Sequence, residues 1–492
     1  MTARDTNARL FDSYEALTFD DVLVVPGWSE VLPHEVDIST SICGVRLETP
    51  LMSAAMDTVT EAPLAIALAR EGGIGVLHRN LSIDEQVLHI DRVKRAQSGM
   101  ITSPISLPPH STLADAESLM NHHKISGVPI CTDDGVLVGI LTNRDIRFCG
   151  PDEYERPVTD FMTGEGLVTA PAGTSLDDAV TILHRHRIEK LPLVDHEGRL
   201  TGLITVKDIT KRIEKPMASL DDRGRLRVAA AVGVTDTGER TEALAEAGVD
   251  MLVIDTAHGH TRGVVQAIQT IKKGWPDLPV IGGNVVTREG VEAMVTAGAD
   301  AVKVGVGAGS ICTTRIVAGA GMPQVTAIFE CVTAGRELGV PIIADGGVVN
   351  SGDIVKAFVA GADVVMLGNA LAGCDEAPGD LELVDGAMWK TYRGMGSAGA
   401  MRGRASDRYG TGTPTSAGVA AQKHVPEGVE GRVRYAGALT ELVTQLIGGV
   451  RSGMGYAGAA SLADLQDNTR LTKITGAGLR ESHPHDISMY SE

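Results

Sequence analysis

From residue 227 onward one unit recurs along this chain: a short β-branched run, a turn, then a stretch with apolar residues at three- and four-residue spacing. The strand-like runs are 227–234, 250–257, 279–286, 301–307, 341–348 and 363–369. Between them EALAEAG, VVQAIQTIKK, VEAMVTAG, CVTAGRELG and IVKAFVAG read as helices, each with the glycine or basic residues that favour a helix C-terminus. Two further runs near the N-terminus, 50–55 and 73–78, are each followed by a helical stretch and raise the six strands to eight. The count predicts an α/β protein built as a (β/α)8 TIM barrel.

At 492 residues the chain exceeds what one core ordinarily supports, so a smaller unit is expected beside the barrel. No run of about 18 apolar residues occurs, which excludes a membrane-spanning helix, and MTARDTNARLFDSYEAL lacks the pattern of a secretory signal. A cytoplasmic location is the expectation. The cysteines at 43, 131, 149, 312, 331 and 374 form no C-x-x-C pair and are expected to be reduced thiols. Acidic residues outnumber basic ones 63 to 44, a net charge of −19 that repels nucleic-acid backbones, so no nucleic-acid partner is expected. Small anions remain admissible, because glycine loops and helix N-termini bind phosphate locally whatever the net charge.

The stretch 96–215 breaks the barrel pattern and repeats within itself. SPISLPPHSTLADAESLMNHHKISGVPICTDDGVLVGILTNRDI aligns with GLVTAPAGTSLDDAVTILHRHRIEKLPLVDHEGRLTGLITVKDI, each reading as strand, helix, strand, D-x-G turn, strand and helix. The pair resembles tandem CBS motifs, which fold together as one nucleotide-sensing (Bateman) module. The resemblance implies that Thr142 with Asp145, and Thr205 with Asp208, contact bound purine nucleotides. The alternative is that each Asp N-caps its helix.

The segment most suggestive of chemistry is GVGAGSICTTR at 305–315, a glycine-rich loop leaving the strand-like run 301–304. Gly305, Gly307 and Gly309 let backbone groups face a ligand or ion without side chains intervening. The loop presents Cys312, followed by Thr313, Thr314 and Arg315, where a nucleophile stands in a (β/α)8 enzyme. A lone intracellular cysteine is more often a small buried hydrophobe; its place at a strand end in a glycine loop argues otherwise. His258 and His260 have a spacing that could suggest a metal, but two histidines without a third ligand are more often loop residues.

With these elements in place, the chain resembles bacterial-type inosine-5′-monophosphate (IMP) dehydrogenases over nearly its whole length. The matching stretches, in order, are LTFDDVLVVP, SAAMDTVTE, GNVVT, GVGAGSICTTR, IIADGG, YRGMGS, SDRY, PEGVEGR and ESHPHD. The resemblance implies NAD-dependent oxidation of IMP to XMP, the committed step of guanine nucleotide synthesis. It makes Cys312 the nucleophile on the purine C2, Arg408 and Tyr409 the base of a mobile flap at about 397–425, and Thr314 with Glu427 a second proton route. It assigns Ser310, Asp345, Gly346, Gly347, Gly368, Asn369, the run Tyr392, Arg393, Gly394, Met395 and Gly396, and Glu427 to substrate. Asp255, Gly305, Val306, Gly307 and Tyr456 fall to NAD, with Tyr456 reaching an adjacent subunit's cofactor. K⁺ is expected on carbonyls of Gly307, Gly309 and Cys312, completed by Glu481, Ser482 and His483 of a neighbouring subunit. A homotetramer follows, with octamers through the CBS modules as the larger assembly. The expected organisation is 1–95 as the first part of the barrel, 96–215 as the CBS module and 216–492 as the second part with flap and ion-binding tail.

Two positions depart from the pattern. Gly368-Asn369 stands where Gly-Ser commonly meets phosphate, and after Arg408-Tyr409 the usual aromatic and glutamine give way to GTGTPTSAG. The alternatives are a GMP reductase, which shares the cysteine loop but lacks the Arg-Tyr flap, and a catalytically dead nucleotide-sensing regulator.

Overall fold

The computed structural model describes residues 15–96, 104–123, 125–402 and 425–487. They fall into two compact units, one drawn from Met1–Ala96, Met217–Asp221 and Leu226–Glu492, the other from Gln97–Pro216 and Asp222–Arg225.

In the larger unit eight parallel strands form the barrel: β1 Leu51–Ser53, β2 Gly75–Leu77, β3 Val228–Val232, β4 Met251–Ile254, β5 Val280–Val285, β6 Ala301–Val304, β7 Ile342–Asp345 and β8 Val364–Leu367. Each lies inside a run read from the sequence. The ring closes where Met52 bridges Ile74 and the Ser53 N–H donates to the Ile74 carbonyl at 3.1 Å. Both faces of these strands are covered, so they read as nearly continuous apolar runs, yet alternation still sorts them. In β4, Met251 and Val253 fill the barrel interior while Leu252 and Ile254 pack under the helices. A hairpin of Thr40–Ile42 and Val45–Leu47 joins the interior cluster through Ile42, Val45 and Leu47.

The strands are held at their N-terminal ends by a repeated device. Asp250, Asp300 and Asp363, each just before an even-numbered strand, use the carboxylate to accept the N–H of Val228, Val280 and Ile342, the first residues of the preceding strands, at 2.7 Å. Each Asp also donates its own N–H to the carbonyl of the same residue. Two residues earlier stand Gly248, Gly298 and Gly361, all at positive φ, ending the helix before the strand.

The helix belonging to β8 arrives late. After β8 the chain forms a three-stranded antiparallel sheet of Leu381–Val384, Ala387–Arg393 and Glu430–Arg434, and only then the helix Leu439–Ala457. That helix packs against both Ser351–Val359 and Ala62–Arg70, filling the eighth place in the outer ring.

In the smaller unit the two sequence copies fold alike. Helix Leu113–His123 with strands Gly127–Cys131 and Leu137–Thr142 matches helix Leu176–His186 with strands Lys190–Val194 and Leu200–Thr205. Each copy has its own apolar cluster, centred on Leu113, Val128 and Ile130 in one and Leu183, Leu191 and Leu193 in the other.

Candidate active site

Strand alternation carries two charged residues into the barrel at its C-terminal end. In β6, Ala301 faces inward and Val302 and Val304 outward, so Lys303 also points in; in β7 the same parity turns Asp345 inward beside Ile343. Lys303, only 2% exposed, pairs with Asp345 and donates to the Asn284 side-chain oxygen. Asn284 in turn donates to Asp345 at 2.9 Å and to the Gly305 carbonyl at 2.7 Å. The buried ammonium is tolerated here because the half-buried Asp345 carboxylate and the Asn284 amide oxygen satisfy it. Asp345 therefore does not cap the next helix; Asn350 does that.

The glycine loop leaves β6 directly above this cluster. Gly305 has φ +146°, and a Cβ there would stand 2.1 Å from the Asp345 carbonyl oxygen, so no other residue fits between β6 and β7. Gln324 fastens the same two strand ends, donating to the carbonyls of Val304 at 3.0 Å and Asp345 at 3.1 Å. Cys312 follows, half-buried, with its N–H donating to the Gly309 carbonyl at 3.1 Å.

Cys312 is tied to a segment distant in sequence. It bridges Gly428, and the Thr313 N–H donates to the Glu427 carbonyl at 3.0 Å. The side chains form a line: Cys312 Sγ lies 3.2 Å from Thr314 Oγ1, which donates to Glu427 Oε2 at 2.8 Å. Thiol, hydroxyl and carboxylate in that order give a route along which a proton can move to or from the sulfur.

These groups open on a cavity of ≈ 250 Å³. Seventeen of the residues expected at the site line it: Gly305, Val306, Gly307, Gly309, Ser310, Cys312, Thr314, Asp345, Gly346, Gly347, Gly368, Asn369, Tyr392, Gly394, Met395, Gly396 and Glu427. Gly346 and Gly347, at φ +94° and +84°, turn the chain back on itself after β7. Burial pushes the Tyr392 phenol up to about 12, so it stays protonated, with Ser310 as its hydrogen-bond partner.

Other expected residues stand elsewhere. Arg393 is absent from the lining; its guanidinium is engaged by Asp57. Asp255 is buried at the end of β4, while its neighbours Thr256 and Ala257 reach the cavity. Tyr456 is 71% exposed on the outer helix Leu439–Ala457. Glu481, Ser482 and His483 are exposed at the C-terminal end of the short helix Gly476–Glu481. Arg408 and Tyr409, with most of 397–425, lie outside the described residues. In the smaller unit Thr142 is an N-cap and Asp145 accepts from its N–H and hydroxyl, both at 2.7 Å, so the aspartate closes a capping box from inside the helix. Thr205 ends the matching strand; the Asp208 side chain lies outside what is described.

His258 and His260 are exposed with ring centroids 6.5 Å apart, and among the described residues no three His, Cys, Asp or Glu side chains converge to hold a metal. The loop carbonyls of Gly307, Gly309 and Cys312 are a different donor set, neutral oxygens suited to a large monovalent cation. Among the described residues no helix is long and apolar enough to cross a membrane.

Residues 16–485 match the model of the IMP dehydrogenase / GMP reductase domain. The chain belongs to that family. It is 56% identical over 481 residues to an inosine-5′-monophosphate dehydrogenase of Aquifex aeolicus, covering 97% of both chains, and 55% identical over 480 residues to that of Halalkalibacterium halodurans, again covering 97% of each. Among solved structures it is similar to the C318A variant of GMP reductase from Trypanosoma brucei in complex with guanosine 5′-monophosphate, at 41% identity and a TM-score of 0.88, covering 98% of this chain and 100% of that one.

Four residues that hold the walls of this site in place escaped sequence reasoning: Lys303, Asn284 and Gln324 beneath the cysteine loop, and Asp57 behind Arg393. Lys303 left a visible signal, a cation in the middle of the apolar strand AVKV, where only a buried counter-charge makes it tolerable. Asn284 and Asp57 sit inside matched motifs, GNVVT and SAAMDTVTE, but nothing in spacing reveals what they touch. Gln324 opens a helix and left no signal.

Proposed function

We propose that this chain oxidises IMP to XMP with NAD through a covalent adduct on Cys312. The observation that carries the reading is the line Cys312–Thr314–Glu427 opening on a cavity walled by glycine turns. The Cys312 sulfur adds to the purine C2; the hydrogen on that carbon leaves as hydride, and the sulfur stays bonded to a carbon now one oxidation level higher. Water then adds to C2, sulfur departs, and the oxygen remains in XMP. NAD would accept that hydride; Gly305–Gly307, in the cavity lining, would hold it together with Asp255 at the end of β4, and Tyr456 would be contributed to a neighbouring subunit's cofactor.

Backbone N–H groups of Gly346, Gly347, Gly368 and Asn369 bind the nucleotide phosphate, the Tyr392–Gly396 segment closes over the nucleotide, Ser310 touches the phosphate beside the sulfur, and Asp345 takes the ribose hydroxyls. Arg408 with Tyr409 activates the water, and Thr314 with Glu427 offers the second proton path. Glu427 also contacts the purine. Carbonyls of Gly307, Gly309 and Cys312, with those of Glu481, Ser482 and His483 from a neighbouring subunit, suit K⁺ and imply a homotetramer. The CBS pair binds purine nucleotides at Thr142, Asp145, Thr205 and Asp208 and allows octamers.

NADH appearance with IMP and NAD, measured with and without potassium and titrated with ATP and GTP, tests the reading. An acid quench should leave a nucleotide adduct on the Cys312 peptide by mass spectrometry. Glu427→Gln should slow turnover by about 10²-fold. Full-length similarity to a GMP reductase supports a second reading, reduction of GMP with NADPH. NADPH loss with GMP, and no NADH from IMP, would select it.

A further inference from the structure

Three loops meet beside the Gly368-Asn369 turn. A Cβ on Gly368 would stand 3.3 Å from Met56 Sδ and 3.4 Å from Tyr392 Oη, so the segment after β1 and the end of the strand Ala387–Arg393 converge on that turn. What locks these two segments together is Asp57. Its carboxylate accepts Arg393 Nη2 at 2.7 Å and Nε at 3.1 Å from both oxygens, a forked pair with Asp57 only 6% exposed. Thr58 Oγ1 accepts the Arg393 N–H at 3.2 Å, and Asn80, from the loop after β2, donates to Asp57 at 2.8 Å.

The run that follows Arg393 is built on this anchor. The Gly394 N–H donates to the Val429 carbonyl at 3.0 Å, and the Gly396 carbonyl accepts from the Glu427 N–H at 3.1 Å. The anchor therefore fixes the backbone that faces the nucleotide, whereas Glu427 has ties of its own, its carbonyl accepting the Thr313 N–H at 3.0 Å and its carboxylate the Thr314 hydroxyl at 2.8 Å.

We propose that Asp57 is a positioning residue for nucleotide binding, acting through Arg393 to hold the Tyr392–Gly396 segment over the nucleotide. The assignment rests on the function proposed above only in taking a nucleoside monophosphate as the ligand. It reverses the ordinary expectation for Arg393: its fork is spent on Asp57, and the phosphate meets backbone N–H groups instead.

Charge and position predict opposite signs for Asp57→Asn. Removing a carboxylate beside an anion site tightens binding if charge alone matters. A positioning role loosens it, raising KM for IMP by about tenfold with kcat changed by no more than about threefold. Because Asp57 acts through Arg393, the double variant Asp57→Ala/Arg393→Ala should be no weaker than Arg393→Ala alone, which leaves an uncompensated carboxylate.

Steady-state kinetics on the full-length protein, with thermal melts of each variant, decide the matter. If wild type turns over GMP with NADPH instead, the same variants are read on KM for GMP. An unchanged or lower KM in Asp57→Asn, or additive losses in the double variant, overturns the proposal while leaving the reaction intact. A wild type that binds neither IMP nor GMP by calorimetry sinks both. Should Asp57→Asn melt early, Arg393→Lys is the second reading: it keeps the charge but loses the fork, and must raise KM as well.

Discussion

The two ends of the barrel solve different problems, and they differ in how much they repeat themselves. At the N-terminal end the same clasp appears three times, a helix-ending glycine, one apolar residue, then an aspartate gripping the first residue of the strand before it. At the opposite end no two loops are alike: one carries a cysteine, one a pair of left-handed glycines, and one a buried asparagine between a lysine and an aspartate. Holding strands together is one task and admits one answer. Binding a nucleotide and breaking a C–H bond needs a different group from each direction, so each strand end is individually made.

If that division is real, substitutions at the two ends should separate activity from stability. The largest effect is expected at Cys312: Cys312→Ala should lower kcat by at least about a thousandfold, with a melting temperature close to that of wild type. A variant that keeps a tenth of its turnover would remove the sulfur from the reaction. Lys303→Met comes next and should show both losses, because Asp345 is left with its charge and without its ammonium. It should cost about 3 kcal/mol of stability and raise KM for the nucleotide. Equilibrium denaturation together with kinetics measures both, and a stability loss with normal KM would make Lys303 a core residue only.

The barrel itself was legible because its strands are covered on both faces and its helices end in glycine, two signals that survive without any knowledge of contacts. The cysteine loop was legible for the same reason, since Gly305, Gly307 and Gly309 break the strand where no turn residue is otherwise needed. What stayed hidden was pairing across long separations. Arg393 reads as a substrate residue in its motif, and only the fold brings Asp57, more than three hundred residues earlier, into its fork. The helix Leu439–Ala457 was missed as the eighth of the ring because the β-sheet excursion separates it from β8.

At the N-terminal end the expectation is reversed: stability moves and chemistry does not. Ile42→Ala in the hairpin that seals the interior removes a fully buried side chain and should cost about 3 kcal/mol, while kcat per folded molecule stays at the wild-type value. A fall in kcat measured well below the melting temperature would mean that the two ends are coupled through the packed interior, and the comparison would need a different basis.

The smallest effect tests the clasp through pH. Burial raises the Asp363 carboxyl above its ordinary value of 3.8, against the Ile342 N–H, which pulls it down. A raised folded-state pKa means that the protonated acid is the form the fold prefers. Its contribution is complete below the unfolded value and is lost as pH climbs through the folded one. Asp363→Asn keeps an oxygen to accept the Ile342 N–H and has nothing to titrate. The variant's melting temperature relative to wild type should therefore rise as pH increases from about 4, then level off once wild-type Asp363 is ionised, with kcat unchanged throughout. A relative melting temperature that falls over that range would show that ionised Asp363 is the clasp's working form, held by Arg336 and the Ile342 N–H more strongly than burial opposes it.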